Sequence, residues 1–350
     1  LIMWLEGASR VQVTGLQFDA NGKTQFGGIL CTGTTMLQVH HNRYFDSVPP
    51  GAWTGDPYFV ACGTDALSSY VYVQDNIVVT GQIEIDRCQY CFIQRNTLVT
   101  PGSNGIVWSS LANANTALDY WITDNIVENA RGNAISVAFD AVSGGTVARL
   151  HIQNNTVHFS NTSTDNRSAL LVGHTLLTEI DNTSNWYDIH VTGNTVIWET
   201  TATSAAPRPL IQVGMSNNGT ARMREVVVAN NIVDGGFSSG SSRLAERGIA
   251  VVNVVGAVVT GNIVRNTQRG IWVQPDANDA PVISGNILKN IGGDGIIVNS
   301  AEAAVISGNK IEAANLDVGT AYAIALRLQA SNGTITGNYI ACSACTAGIA

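Results

Sequence analysis

The sequence predicts an all-β chain, a single-stranded right-handed parallel β-helix of about twelve stacked coils forming one solenoid domain over residues 1–350. Three observations predict it. A signature of the form hydrophobic-x-hydrophobic-x-x-Asn-x-hydrophobic recurs along the chain. The interval between its asparagines runs from 20 residues (76 to 96) to 39 (155 to 194), while the signature itself stays constant. Between signatures a second apolar motif returns, most often as Gly-Ile-x-hydrophobic. A fixed local pattern at variable spacing means fixed strands joined by variable loops.

The signature reads VYVQDNIV at 71–78, CFIQRNTL at 91–98, YWITDNIV at 120–127, LHIQNNTV at 150–157 and AVVTGNIV at 257–264. Its asparagines stand at 42, 76, 96, 125, 155, 194, 231, 262, 286, 309 and 338, and Leu16 takes the place of the asparagine in VQVTGLQF at 11–18. Alternation with period two is strand geometry, one face inward and one outward. Asparagine repeated at one angular position predicts an internal amide ladder. The Gly, Asn or Asp before it suits a left-handed turn. The second strand reads GGILC at 27–31, GIVW at 105–108, NAISV at 133–137, GIWV at 270–273 and GIIV at 295–298.

Composition narrows the function classes. Charged residues make up 13% of the chain and hydrophobic ones 45%, and no apolar run approaches the roughly 20 residues of a membrane span. A net charge of −8 argues against nucleic acid as a partner, since phosphates need a basic surface. No signal segment is visible within the sequence: Leu1 begins inside strand-like sequence and Gly348-Ile349-Ala350 stops midway through a repeat, so the chain reads as cut from a longer protein.

Six cysteines include Cys88-x-x-Cys91 and Cys342-x-x-Cys345. Eight coils at ~4.8 Å separate the two pairs by about 40 Å, which excludes a shared zinc site. Cys91 takes the inward slot that Val71 fills one coil earlier, and Cys31 and Cys62 fall in equivalent inward slots. They read as thiols stacked in the core, with a Cys31–Cys62 disulfide compatible with the spacing. No cofactor or metal is expected.

Equivalent outward positions lie above one another in such a fold, so they compare as columns. One column reads Tyr72, Phe92, Trp121, His151, His190 and then Val227, Val258, Val282, Val305. The next reads His40, Gln74, Gln94, Thr123, Gln153, Thr192, and the slot before the ladder asparagine reads His41, Asp75, Arg95, Asp124, Asn154 and then mostly glycine. Coils two to seven thus carry aromatic, imidazole, amide and charged groups that later coils lack. Long connections at 109–119, 138–149, 173–188 and 214–225 rise beside these coils and are placed to wall a groove. Ring faces flanked by amides suit sugars. The substrate-binding set is therefore Tyr72, Phe92, Trp121, His151, His190, Gln74, Gln94, Gln153, Arg95 and His41. The structural alternative is ordinary strand formers packing under the loops.

The catalytic candidates are His151, His190, Asp124 and Asp75. Asp75 and Asp124 stand two coils apart, ~10 Å, near the roughly 6.5–9.5 Å of an inverting glycosidase. Arg95 between them holds both ionised, which reads as a salt-bridged ladder rather than an acid–base pair. Trp53, Asp56, Tyr58 and Asp65 lie on a connection able to cap the groove. The outward valines form an apolar strip for the chain's own loops or for another subunit.

The coil motifs resemble the pectin-lyase-like superfamily of right-handed β-helices, over essentially the whole chain. That resemblance implies a polysaccharide lyase or hydrolase, a uronate epimerase or a phage tailspike. The Asp-Asp and Gly-His-Gly motifs of polygalacturonases and the Asp-Pro-His of mannuronan epimerases are absent, and Gly173-His174-Thr175 matches only in part, so no family catalytic residue transfers. Two readings follow. One is a carbohydrate-active domain, a lyase or hydrolase, taking an extended glycan over coils two to seven. The other is a non-catalytic glycan-binding or structural shaft of a tailspike or surface adhesin. Both imply an extracellular, cell-surface or virion location, and the tailspike analogy implies a homotrimer through Val227, Val258, Val282 and Val305.

Overall fold

The computed structural model describes residues 3–20, 28–46, 58–63, 66–101, 104–111, 116–130, 132–140, 146–159, 167–173, 185–198, 209–214, 222–236, 245–274, 279–299, 303–312, 322–327, 332–341 and 347–349. Its strands stack in three parallel sheets. Sheet 1 holds the signature strands, such as Ser68–Gln74, Cys88–Gln94 and Thr116–Thr123. Sheet 2 holds the short strands after each asparagine, such as Ile77–Thr80 and Thr97–Thr100. Sheet 3 holds the Gly-Ile strands, such as Ile106–Leu111 and Thr267–Gln274. Each strand pairs with its equivalent one coil away, as in Val71 with Cys91 and Cys91 with Tyr120. The chain is a right-handed parallel β-helix, the hand that parallel crossovers take from strand twist. Among the described residues no helix is long and apolar enough to cross a membrane.

Two strands follow each asparagine, and the apolar motif read from the sequence is the second of them. The Asn-x-hydrophobic end of the signature is itself a strand, Ile77–Thr80 in coil three, and Gln82–Ile85 is the next. Three residues suffice for many of these, too few for an alternation to stand out.

The asparagine ladder forms as its spacing predicts. In coil three the Asn76 backbone N–H and side-chain Nδ2 both donate to Oδ1 of Asn96, at 3.1 and 2.9 Å. Nδ2 also donates to the Val39 carbonyl one coil back, at 2.9 Å, and Oδ1 accepts from Asn42. The pattern continues to Asn338. Leu16 keeps the backbone half only, its N–H donating to Asn42 Oδ1 at 3.0 Å. The residue before each asparagine has φ near +60°, including His41 (55°) and Arg95 (54°), and arginine is a type that does not favour that turn.

Glycine begins many sheet 3 strands because backbones approach closely there. A Cβ on Gly105 would sit 2.5 Å from the Ala134 carbonyl oxygen of the next coil. Inside, the core is continuous, with Trp108, Trp186, Tyr44, Tyr120 and Phe59 fully buried among stacked aliphatics.

The cysteine reading needs correction. Cys31 and Cys62, paired on neighbouring sheet 3 strands, are disulfide-bonded, and so are Cys88 and Cys91. The second pair escaped period-two reasoning because Tyr90 lies at φ 59°, so that Cys88 and Cys91 both face inward on one strand. Cys342 and Cys345 lie outside the described residues, as do Trp53, Asp56, Asp65 and His174.

Candidate functional site

On sheet 1 the strands pair Tyr72 with Phe92, Phe92 with Trp121, Trp121 with His151, and His151 with His190. The five half-buried rings form one continuous stack. Centroid separations are 4.8, 4.7, 5.3 and 5.1 Å, with interplanar angles from 4° to 18°. Rings at coil spacing in near-identical rotamers can only lie face to face. The faces of Phe92, Trp121 and His151 are therefore covered by their neighbours. A ligand meets ring edges, which carry the positive end of the quadrupole, and not the open faces expected from the sequence.

Gln74, Gln94, Thr123 and Gln153 line up in the adjoining column. Gln153 Nε2 lies 3.4 Å from His151 Nδ1. The turn column places His41, Asp75, Arg95 and Asp124 along the same edge. Arg95 grips Asp75 with both ends of its guanidinium, Nε–Oδ1 and Nη2–Oδ2 each 2.8 Å, and Nη2 also reaches Gln74 Oε1 at 3.3 Å. That hydrogen bonding holds the Asp75 carboxyl below its ordinary value of 3.8, so Asp75 is no general acid at neutral pH. Toward Asp124, Arg95 acts only through longer-range attraction. The expected ladder of three is thus one tight pair with Asp124 exposed beside it. His41 Nδ1 lies 2.8 Å from His40 Nδ1, and His40 Nε2 lies 2.6 Å from Gln12 Nε2.

A further column escaped the sequence reading. One residue before each signature, Arg10, Met36, Tyr70, Tyr90, Asp119, Arg149, Asp188 and Glu225 all have φ between 55° and 59°. This left-handed residue puts two outward side chains in succession and breaks the alternation, as at Tyr187–Asp188. Strand pairing therefore extends back through Thr116–Asp119, Thr146–Arg149, Asn185–Asp188 and Arg222–Glu225, ranges the alternation assigns to loops. The signal was a fixed offset from the signature. The remainder of those connections, 112–115, 141–145, 174–184 and 215–221, lies outside the described residues.

The new column brings chemistry beside the histidines. Tyr70 and Tyr90 stack at 4.7 Å and 9°. Arg149 holds Asp119 in a two-point pair at 2.6 and 2.7 Å, which lowers the Asp119 pKa and raises that of Arg149. Asp188 Oδ1 meets His190 Nε2 at 2.7 Å. His151, stacked on His190, is held below its ordinary 6.5, first by burial and then by repulsion from His190, against the pull of Asp188 and Asp119. His151 is therefore neutral at neutral pH. Beyond coil seven the ring column becomes Val227, Val258, Val282 and Val305, half-buried and in register.

Among the described residues no group of three or more His, Cys, Asp or Glu converges as a metal site. Residues 247–349 match the family model described as right handed beta helix region. No curated protein and no solved structure matches the chain. The matched segment lies wholly beyond Glu225, so it supports the fold and does not reach the aromatic and charged columns of the earlier coils.

Proposed function

We propose that sheet 1 over coils two to seven is a binding face for an extended glycan. The observation that carries it is the confinement of five stacked rings, the glutamine side chains beside them and the charged residues of the turn column to one face of these coils, where later coils carry valine, small hydroxyl residues and glycine. A linear array repeating at ~4.8 Å suits a linear polymer bearing hydroxyls at every unit. The glutamines and threonines supply donors and acceptors, and the ring edges contact hydroxyl oxygens. The resemblance to pectin-lyase-like proteins is compatible with this reading.

A catalytic version rests on His151, whose neutral form near Asp188–His190 suits a base. The ionised states of Asp75 and Asp119 support recognition over hydrolysis, which needs a protonated acid. The disulfides fit an oxidising, extracellular or cell-surface setting. We extend the proposal to a homotrimer seated on Val227, Val258, Val282 and Val305.

The test is retention on a panel of polysaccharides, together with polymer length by size-exclusion chromatography before and after incubation. Wild type should be retained by at least one polymer. Trp121→Ala combined with His151→Ala, checked for folding by circular dichroism, should abolish retention. Undiminished affinity in that variant would remove the face from the proposal, and shortening of a polymer by wild type would establish the catalytic version.

A further inference from the structure

We infer that the polymer taken by this face is an uncharged glycan, with no carboxylate or sulfate on its sugars. The inference rests on the glycan reading above and comes from the charge pairing along sheet 1. Over coils three to seven the sheet 1 strands and their turns carry Asp75, Asp119, Asp124 and Asp188 against Arg95 and Arg149, four formal negative charges against two positive. Both arginines are engaged. Arg95 is bound at two points to Asp75, and Arg149 at two points to Asp119.

A two-point guanidinium–carboxylate pair uses the same fork that would hold a uronate or sulfate. For either arginine to turn to a polyanion, its aspartate would be left uncompensated beside the incoming charge. Asp124 stands exposed in the turn column one coil beyond Arg95, and Asp188 faces His190 two coils further on. A polymer with a negative group on each sugar would run past these two carboxylates with both guanidiniums already occupied, which costs affinity and slows encounter. A neutral sugar chain meets none of that. Its hydroxyls find Gln74, Gln94 and Gln153, with the positively polarised ring edges of Phe92 and Trp121 between the columns. β-Elimination requires a carboxyl group beside the carbon that loses its proton, so a neutral polymer also excludes a lyase step on this face.

Affinity gel electrophoresis of the intact chain tests this, through neutral polymers (dextran, mixed-linkage β-glucan, galactomannan) and anionic ones (polygalacturonate, alginate, chondroitin sulfate). The expected result is retardation by at least one neutral polymer, with every polyanion bound at least about tenfold more weakly. Asp75→Asn with Asp119→Asn releases both guanidiniums. That variant should gain about tenfold in affinity for polyanions at low ionic strength and lose the gain at high. Wild-type binding of a polyanion as tightly as any neutral polymer would overturn the charge argument while leaving the glycan face standing. Failure of the folded protein to bind any polymer would remove the glycan reading, and the substrate class with it.

Discussion

A buried asparagine has two side-chain N–H groups and one carbonyl oxygen to satisfy, and in coil five all are used. Asn125, with no exposed surface, donates through Nδ2 to the Ile93 carbonyl at 2.9 Å and to Asn155 Oδ1 at 3.0 Å. Its Oδ1 accepts from the backbone and side chain of Asn96 at 2.9 and 3.0 Å. Alanine at this position would leave the Ile93 carbonyl and the backbone and side-chain N–H groups of Asn96 without these partners in a dry interior. Asn125→Ala should therefore cost about 3 kcal/mol or more, read as a fall in denaturation midpoint. A loss below about 1 kcal/mol would show that the turn backbone, and not the amide, holds the coils in register. The turn residues tell the same story from outside: His41 and Arg95 sit where glycine sits in later coils, at a conformational cost of about 1 kcal/mol each. Such a cost persists where the side chain does something glycine cannot, as Arg95 does with Asp75.

At the scale of the strand, the ring column joins stability to pH through His151. The unfolded chain protonates this imidazole near 6.5, and the folded chain only at lower pH, because burial and His190 oppose the charge. Between those two values the unfolded state binds more protons, so stability rises with pH across that window and falls as acid is added through it. His151→Phe keeps a ring in the stack and removes the titration. Going from about pH 7.5 to about pH 5, wild type should lose more thermal stability than the variant. Equal losses would mean that the imidazole is hydrated in both states. The column itself was legible in the sequence because period two and the fixed asparagine align every signature without gaps. Asp119, Arg149 and Asp188 were not legible, because a left-handed residue between strand segments resets the alternation and makes paired backbone look like loop. The Cys88–Cys91 bond was hidden for the same reason. The covered ring faces were implicit in the register but follow only from the rotamers, which no one-dimensional pattern carries.

Along the whole molecule the chemistry divides where the fold does not. Sheets 1, 2 and 3 run through all coils, yet sheet 1 is polar and aromatic before Val227 and lined by Val258, Val282 and Val305 after it. Beside those valines run Thr260, Ser284 and Ser307, and beyond them the turn glycines 261, 285 and 308, so the surface is flat, small-featured and uncharged. A rigid, repeating face of this kind fits a copy of itself placed around a common axis, since each valine then meets an equivalent one at the same height. The proposed trimer accordingly predicts a sedimenting species of three chains that persists on dilution. Val258→Lys with Val282→Lys would place six ammonium groups around the axis of that trimer and should yield single chains. Those chains should retain the β-sheet circular dichroism of the wild type, because outward positions do not enter the core. A wild-type monomer at all concentrations would instead leave the strip as plain β-branched surface, and a trimer indifferent to both lysines would put the subunit contact on another face.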